Sequence, residues 1–454
     1  MPHDYASVGT PAPMSVRGQS HLTCSALLSD GSRHAASLRC LLANRHMLGM
    51  RVALLPAVVI ALAACGGDTA VDPETSVSKV TISASPTALA VGATLQLTAD
   101  AANAAGTILV EKTINWVSSR PDIATITSRG LVTGVATGTT TITAKSEGRS
   151  ASIALTVQAP NKIVLTSEVG DYVGQGETYT YTKANAVISL SAKTTSIQLS
   201  ISGNQGWRAN FQTPSGVELA AGSYTNATRW PFQGSGAGLE VSGEGRGCNM
   251  LTGFFVIDSL SWDTGNSLLL GLDLRFEQHC EGRAPALRGT IHWRADDPTT
   301  PPGPVTPIPS TLWQPPTGAT PSSGDFVYLQ SDPGDYIGRG ATNLYQTGIV
   351  GSLSGTRAMI SAGGYSAVFQ GMNSISELKV GYYGGLMRYP LHNPALGGID
   401  VSGEGRGCNR ETGWFAIDRV AYANGLVTGI ELRFEQRCEN ADASLHGAVR
   451  WGQF

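Results

Sequence analysis

Nine consecutive residues occur twice in this chain without a change. Val241-Ser-Gly-Glu-Gly-Arg-Gly-Cys-Asn249 is identical to Val401–Asn409. The match extends on both sides. Gly170-Asp-Tyr-Val-Gly-Gln-Gly176 pairs with Gly334-Asp-Tyr-Ile-Gly-Arg-Gly340, and Arg229-Trp230-Pro231 with Arg388-Tyr389-Pro390. Leu272-Asp-Leu-Arg-Phe-Glu-Gln-His-Cys-Glu281 pairs with Ile430-Glu-Leu-Arg-Phe-Glu-Gln-Arg-Cys-Glu439. Residues 162–296 and 325–454 are therefore two copies of one unit, and a fold that suits one must suit the other. Between them, residues 297–324 carry nine prolines from Pro298 to Pro321. That composition predicts a stiff, extended linker.

The composition points to strands. Charged residues make up 14% of the chain, against about 25% in typical globular proteins. Glycine is abundant, with 55 residues, and Thr, Ser, Val and Ala are frequent. Leu272, Leu274 and Phe276 alternate with Asp273, Arg275 and Glu277, and Ile430, Leu432 and Phe434 alternate with Glu431, Arg433 and Glu435. Period two places the apolar set on a core and the charged set on the opposite face, where an ion-pair ladder is expected. A ligand-facing row is the alternative. The expected architecture is all-β, with tandem β-sandwich modules and no substantial helix. A net charge of −3 gives no basic field for nucleic acid or an anionic membrane surface.

The N-terminal region reads as a targeting segment. Met47-Leu-Gly-Met-Arg51 precedes an apolar run from Val52 to Ala64, too short to span a bilayer, which takes about 20 residues. Leu62-Ala63-Ala64-Cys65 resembles the bacterial lipobox, in which the cysteine is lipidated and becomes the mature N-terminus. An ordinary secretory signal with a chance cysteine is the alternative. Residues 1–64 then comprise an early-assigned start and a lipoprotein signal peptide, with translation beginning at Met47 or Met50. Cys24 and Cys40 would be lost from the mature protein, and residues 65–76 would form a tether. Gly66 after the cysteine, in place of an aspartate, points to the outer membrane or cell surface. The lipid would be the one contact with the membrane.

From 77 to 158 the pattern is alternating strands punctuated by turns. Val80-Thr-Ile-Ser, Pro86, Leu89-Ala-Val-Gly92 and Leu95-Gln-Leu-Thr98 come first. Trp116-Val-Ser-Ser-Arg-Pro-Asp-Ile-Ala-Thr-Ile126 and Gly130-Leu-Val-Thr-Gly134 through Thr141-Ile-Thr-Ala144 follow. This segment resembles the bacterial immunoglobulin-like domain, group 2. The resemblance implies a β-sandwich with Trp116 as the core tryptophan between its sheets. It also implies a surface spacer or adhesion module, as in intimin- and invasin-type proteins, without catalytic residues. The doubled unit resembles a repeat of exported bacterial proteins marked by Gly-Asp-Tyr-Ile-Gly and Phe-Glu-Gln-x-Cys-Glu, a resemblance that speaks to location.

Four cysteines follow Cys65, and an even number outside the cytoplasm predicts disulfides. Cys248 with Cys280 and Cys408 with Cys438 is the economical pairing, with pairing between copies left open. No catalytic constellation survives the duplication. His279 stands opposite Arg437 and His292 opposite Arg450, and paired-histidine or Cys-x-x-Cys metal spacing is absent from the mature sequence. A non-enzymatic protein is expected, with no cofactor and no metal. Asp171 and Asp335 are read as turn caps, with calcium ligation as the alternative, and Tyr172 and Tyr336 as packing at a sheet edge. The candidate ligand-binding residues are Trp230, Glu244 and Arg246 in the first copy and Tyr389, Glu404 and Arg406 in the second. They would suit a polysaccharide or another envelope component. Two readings stay open: a binding or adhesion protein, and a structural spacer without a ligand.

Overall fold

The computed structural model describes residues 74–83, 87–263, 268–424 and 426–454. Cys65 and its lipid attachment, the whole signal segment, Cys24, Cys40 and Pro86 lie outside the described residues. Among the described residues every regular element is a strand, so the protein is all-β.

The first nine strands are β1 (Lys79–Ser83), β2 (Ala88–Ala90), β3 (Thr94–Gln96), β4 (Thr98–Ala102), β5 (Asn115–Ser118), β6 (Ala124–Ile126), β7 (Leu131–Gly134), β8 (Gly138–Ser146) and β9 (Arg149–Gln158). A four-stranded sheet in the order β2-β9-β8-β5 faces the smaller sheets β3-β7-β6 and β1-β4. Leu97, Val132, Ile142 and Leu155 fill one core cluster, and Val80, Ala101 and Ala144 another. Trp116 is half-buried and packs against both clusters.

The first repeat contributes β10 (Lys162–Ser167), β11 (Thr178–Tyr181), β12 (Val187–Lys193), β13 (Ser196–Ser202), β14 (Gly206–Gln212), β15 (Gly222–Arg229), β16 (Gly238–Gly243), β17 (Leu251–Asp263), β18 (Leu268–Cys280) and β19 (Ala286–Arg294). They form a single ten-stranded sheet in the order β11-β10-β19-β18-β17-β15-β16-β14-β13-β12. The second contributes β20 (Phe326–Ser331), β21 (Thr342–Tyr345), β22 (Val350–Ser354), β23 (Arg357–Ala362), β24 (Tyr365–Gln370), β25 (Gly381–Arg388), β26 (Gly398–Gly403), β27 (Glu411–Ala423), β28 (Leu426–Cys438) and β29 (Leu445–Gly452). Its sheet runs β21-β20-β29-β28-β27-β25-β26-β24-β23-β22, the same order strand for strand.

In each repeat the ten strands form one hydrogen-bonded sheet that curls over its own apolar face and closes as a sandwich does. Phe211 on β14 and Phe276 on β18 stand four strands apart in the sheet order, a separation of about 19 Å if the sheet were flat. Their ring centroids are 5.7 Å apart. Phe369 and Phe434 make the equivalent contact at 5.3 Å. Glycines opposite the aromatics allow this closeness. A Cβ on Gly289 would stand 2.2 Å from the Phe276 ring, and one on Gly447 2.2 Å from Phe434.

The charged face of β18 is an ion-pair ladder. Asp273 meets Arg294 at 2.7 Å, Arg275 meets Asp258 at 3.2 Å, and Glu277 meets Arg288 at 2.6 Å. In the second copy Glu431 meets Arg450 and Arg433 meets Asp418, each at 2.8 Å. Burial pushes the Asp273 carboxyl up, but hydrogen bonds from Arg294, Ser259 and His292 together outweigh it and bring the carboxyl down to about 2.

The proline-rich segment, expected as a stiff, extended linker, lies docked on the second repeat. Val305 exchanges two backbone hydrogen bonds of 2.9 Å with Tyr382, and Ser374 donates to the Pro302 carbonyl. The Trp313 ring stacks on His446 at 5.1 Å and on Tyr328 at 6.3 Å. The segment is a strap over the second repeat. The physical reason is apolar cover: β10 alternates buried and solvated positions, whereas β20 is buried on both faces. Phe326 and Tyr328, on the outer face of β20, are covered by Trp313 and Ala319.

Cys248 is bonded to Cys280 and Cys408 to Cys438. The first bridge closes a loop with a sequence separation of 32. Replacing both Cys248 and Cys280 by serine should therefore cost about 3–4 kcal/mol. Urea unfolding of the variant should show a lowered midpoint, with the strand signal in far-ultraviolet circular dichroism retained.

Candidate functional site

The repeated motifs converge on one corner of each sheet. The residues Gly243-Glu244-Gly245-Arg246 form a two-residue turn closed by backbone hydrogen bonds in both directions, of 3.0 and 2.9 Å. Glu244 and Gly245 both have positive φ, 52° and 73°, the pattern of a type I′ turn. Glu404 and Gly405 repeat these angles. Glu244 Oε1 accepts a 2.7 Å hydrogen bond from the Gly206 N–H, which helps hold a non-glycine residue in a conformation it disfavours.

The arginine of the same turn reaches into the other motif. Arg246 Nε donates to the Val173 carbonyl at 2.9 Å. Arg406 donates to the Ile337 carbonyl through Nε and Nη2 at 3.0 and 2.7 Å. Each arginine thus clamps a backbone carbonyl of the neighbouring loop. Asp171 is buried, and its Oδ2 accepts from Ser167 Oγ at 2.8 Å and the Gly174 N–H at 2.7 Å. Asp335 does the same with Ser331 and Gly338. Both aspartates cap turns, and no cluster of potential metal ligands occurs among the described residues.

The Phe-Glu-Gln-x-Cys-Glu motif completes the corner. Gln278 is fully buried and clasps the Val241 backbone, accepting at 2.9 Å and donating at 2.8 Å. This side chain links β18 to β16, which are not neighbours in the sheet. Gln436 does the same with Val401. Glu281 Oε1 accepts from the Asn249 N–H at 2.6 Å, and Glu439 Oε1 from the Asn409 N–H at 2.5 Å. These backbone bonds hold the Glu439 carboxyl below its ordinary range.

What remains outward is an aromatic. Tyr172 is 50% exposed and Tyr336 52%, where packing at a sheet edge is the sequence expectation. The intervening Asp and Val side chains turn inward to cap and pack, which throws the tyrosine out. Beside Tyr172 lies a groove of ≈ 400 Å³ lined by Asp171, Gly245, Asn249, Glu281 and Arg283.

Trp230 and Tyr389 lie elsewhere. The Trp230 N–H bonds to Leu239 at the start of β16, and Glu244 follows the end of that strand. Five strand residues separate them, about 16 Å, so Trp230 does not share a site with Glu244 and Arg246. Both aromatics are half-buried. Tyr389 accepts a 2.7 Å hydrogen bond from Arg357 and stacks on His392.

A buried acid of the second copy replaces an apolar residue of the first. Glu411 opens β27 where the first copy has Leu251 at the start of β17. It is 3% exposed. Its Oε1 accepts from the Val401 N–H at 3.0 Å, while Oε2 has no partner. Burial pushes the carboxyl from an ordinary 4.5 up to about 8; the Val401 hydrogen bond and Arg388 oppose the rise and Asp400 adds to it. Sequence comparison of the copies had this signal, as a difference where similarity was sought.

Residues 76–157 match the family Bacterial Ig-like domain (group 2). This segment is a bacterial Ig-like domain of group 2. It ends where β9 ends, and Gln158 then bonds Asp296 of the first repeat at 3.0 Å. No curated protein matches the chain's sequence. The solved structure of surface layer protein SbsC, domains 4-9, aligns at 12% identity over 83% of this chain and 82% of that one, with a TM-score of 0.18. A superposition that loose carries no weight for the fold, which rests on the strands above.

The Glu411 carboxyl sets a pH dependence. Between its ordinary value near 4.5 and about 8, the folded protein holds a proton that the unfolded chain has lost. Stability contributed at this position should fall as pH rises through that window, by up to about 1.4 kcal/mol per pH unit. Urea unfolding at pH 5, 6.5 and 8 should show this slope reduced in Glu411→Gln relative to the parent protein.

Proposed function

We propose that this chain is a non-enzymatic envelope protein whose two repeats bind a polysaccharide or another surface component. Lipid on Cys65 would hold it at the surface, and the Ig-like domain would set the repeats off from the membrane. The observation that carries this reading is the exposed tyrosine of each copy, Tyr172 and Tyr336. In the first copy it stands beside a groove with polar walls. A tyrosine ring offers an apolar face and a polar tip, which suits a sugar ring with its C–H face and hydroxyls. The exposed Glu244 and Glu404 lie in the adjoining turns.

One aromatic contact contributes on the order of 1 kcal/mol, so a single site is weak. Two copies joined in one chain make the second contact intramolecular and raise avidity without any new interaction. The second reading, a spacer without ligand, is favoured by the fate of the other repeated polar groups. Arg246 and Arg406 donate to carbonyls of the neighbouring Gly-Asp-Tyr loop, and Asp171 and Asp335 accept within that loop.

Two experiments separate these readings. The mature chain should bind purified cell-wall or capsular glycan, and Tyr172→Ala with Tyr336→Ala should weaken that binding at least tenfold. Equal binding by the double variant, or none by the parent protein, favours the spacer. Cys65→Ser should lose metabolic palmitate label and leave the membrane fraction; retention of both would remove the lipid anchor from the proposal.

A further inference from the structure

The two repeats touch at a defined contact. Asn393 Nδ2 donates to the Asn185 carbonyl and to Asn204 Oδ1, each at 2.9 Å. Nearby, a cleft of ≈ 810 Å³ has walls from both copies. The first copy supplies Asn204 and Gln205, in the loop between β13 and β14, and Glu244 from the turn after β16. The second supplies Arg388 at the end of β25, and Asn409, Arg410 and Glu411 leading into β27.

We propose that this cleft is a binding site for a short stretch of uncharged oligosaccharide. The site is separate from the exposed tyrosines and goes beyond the reading built on them. Its volume lies within the range of about 300–1,000 Å³ typical of small-molecule sites. Its charged side chains are few and of both signs, Arg388 and Arg410 with Glu244, and Glu411 is neutral while it holds its proton. No strong field of one sign selects an ion, and recognition falls to the neutral groups. Its neutral polar groups are mostly side-chain amides, from Asn204, Gln205, Asn409 and Asn440, with Thr412 beside them. Amides both donate and accept, as sugar hydroxyls do. Leu391, 74% exposed at the rim, offers an apolar surface to the C–H face of a sugar.

Glu411 is the second, independent observation. It is 97% removed from solvent by its 3% exposure, and its Oε2 has no hydrogen-bond partner. Arg388 Nε, also buried and also lining the cleft, has none either. Buried polar atoms without partners are rare in folded proteins. Packing does not require an acid here, because the first copy fills the equivalent place with Leu251, 4% exposed. A carboxyl at the cleft floor, in the one copy that faces its neighbour across the cleft, supplies a hydrogen-bonding group the fold does not use. With its proton held into the neutral range, it can donate to a ligand oxygen as well as accept.

The test titrates maltohexaose, cellohexaose and chitohexaose, with oligogalacturonate as the anionic control, into the mature chain by calorimetry. At least one neutral hexamer should bind, and the galacturonate should not compete. Glu411→Leu should lower the affinity at least tenfold. Because leucine is the first copy's residue at this position, that variant should be at least as stable as the parent, and urea unfolding run alongside shows that lost binding is not lost structure. Gln205→Ala, on the first copy's wall, should also weaken binding about threefold. Stoichiometry separates the two sites: one hexamer per chain, lost in Glu411→Leu, marks the cleft, whereas two per chain, lost in Tyr172→Ala with Tyr336→Ala, marks the tyrosines and overturns the cleft. Binding of none of the neutral hexamers, preference for the galacturonate, or undiminished affinity in Glu411→Leu would overturn the proposal. Undiminished affinity in Gln205→Ala would place the ligand on the second copy alone and overturn a site built from both.

Discussion

A sheet with one apolar face must bury that face, and among the described residues this protein has no helix to lay over it. Each repeat therefore has to cover itself. Ten strands suffice, because β12 at one edge of the sheet is carried over to β18, and phenylalanines from strands far apart in the order meet at the centre. Everything else in the unit serves that closure. Glycines at Gly289 and Gly447 let aromatic rings lie flat on the sheet. The buried glutamines Gln278 and Gln436 tie backbone to backbone across the curl, where no ladder hydrogen bond reaches. The disulfides fasten the same corner. Buried polar groups are tolerated only when satisfied, and these two glutamines are satisfied on both sides of the amide.

The duplication kept the scaffold and let the surroundings diverge. The residues identical between copies are mostly those that close a turn, clamp a carbonyl or cap a loop. The residues that differ lie where the copies meet different neighbours. Phe326 and Tyr328 replace Lys162 and Val164 because a strap of prolines and a tryptophan covers the second copy's first strand. Glu411 replaces Leu251 beside the junction with the first copy. Identity within the chain thus reports folding, and difference reports context.

That division also sets what could be read from residues alone. The alternation of Leu272, Leu274 and Phe276 with charged neighbours announces its strand, because period two is a local property. The strands between 77 and 158 were legible for the same reason, and the motif order there carries the resemblance to bacterial Ig-like domains of group 2. Closure of one sheet in place of two was not legible, since it depends on contacts between strands remote in sequence. The strap was obscured by its prolines: counting them describes the backbone and overlooks Trp313 and Val305, the side chain and the backbone that dock. Among the site residues, Glu244 and Arg246 were placed together by adjacency, but Trp230 was joined to them through the repeat alone. The outward turn of Tyr172 follows from where Asp171 and Val173 find partners, which no local pattern states.

The first and last strands of the first repeat lie side by side and antiparallel, with Lys162 opposite His292. The chain therefore enters and leaves at the same end of that pair. Tension applied between the Ig-like domain and the second repeat pulls the two strands apart at one end, so their hydrogen bonds are loaded in succession like the teeth of a zip. Strands pulled lengthwise past each other would load all of them at once and resist far more force. Once opened, the repeat pays out chain until the bridge between Cys248 and Cys280 stops the segment between them from extending.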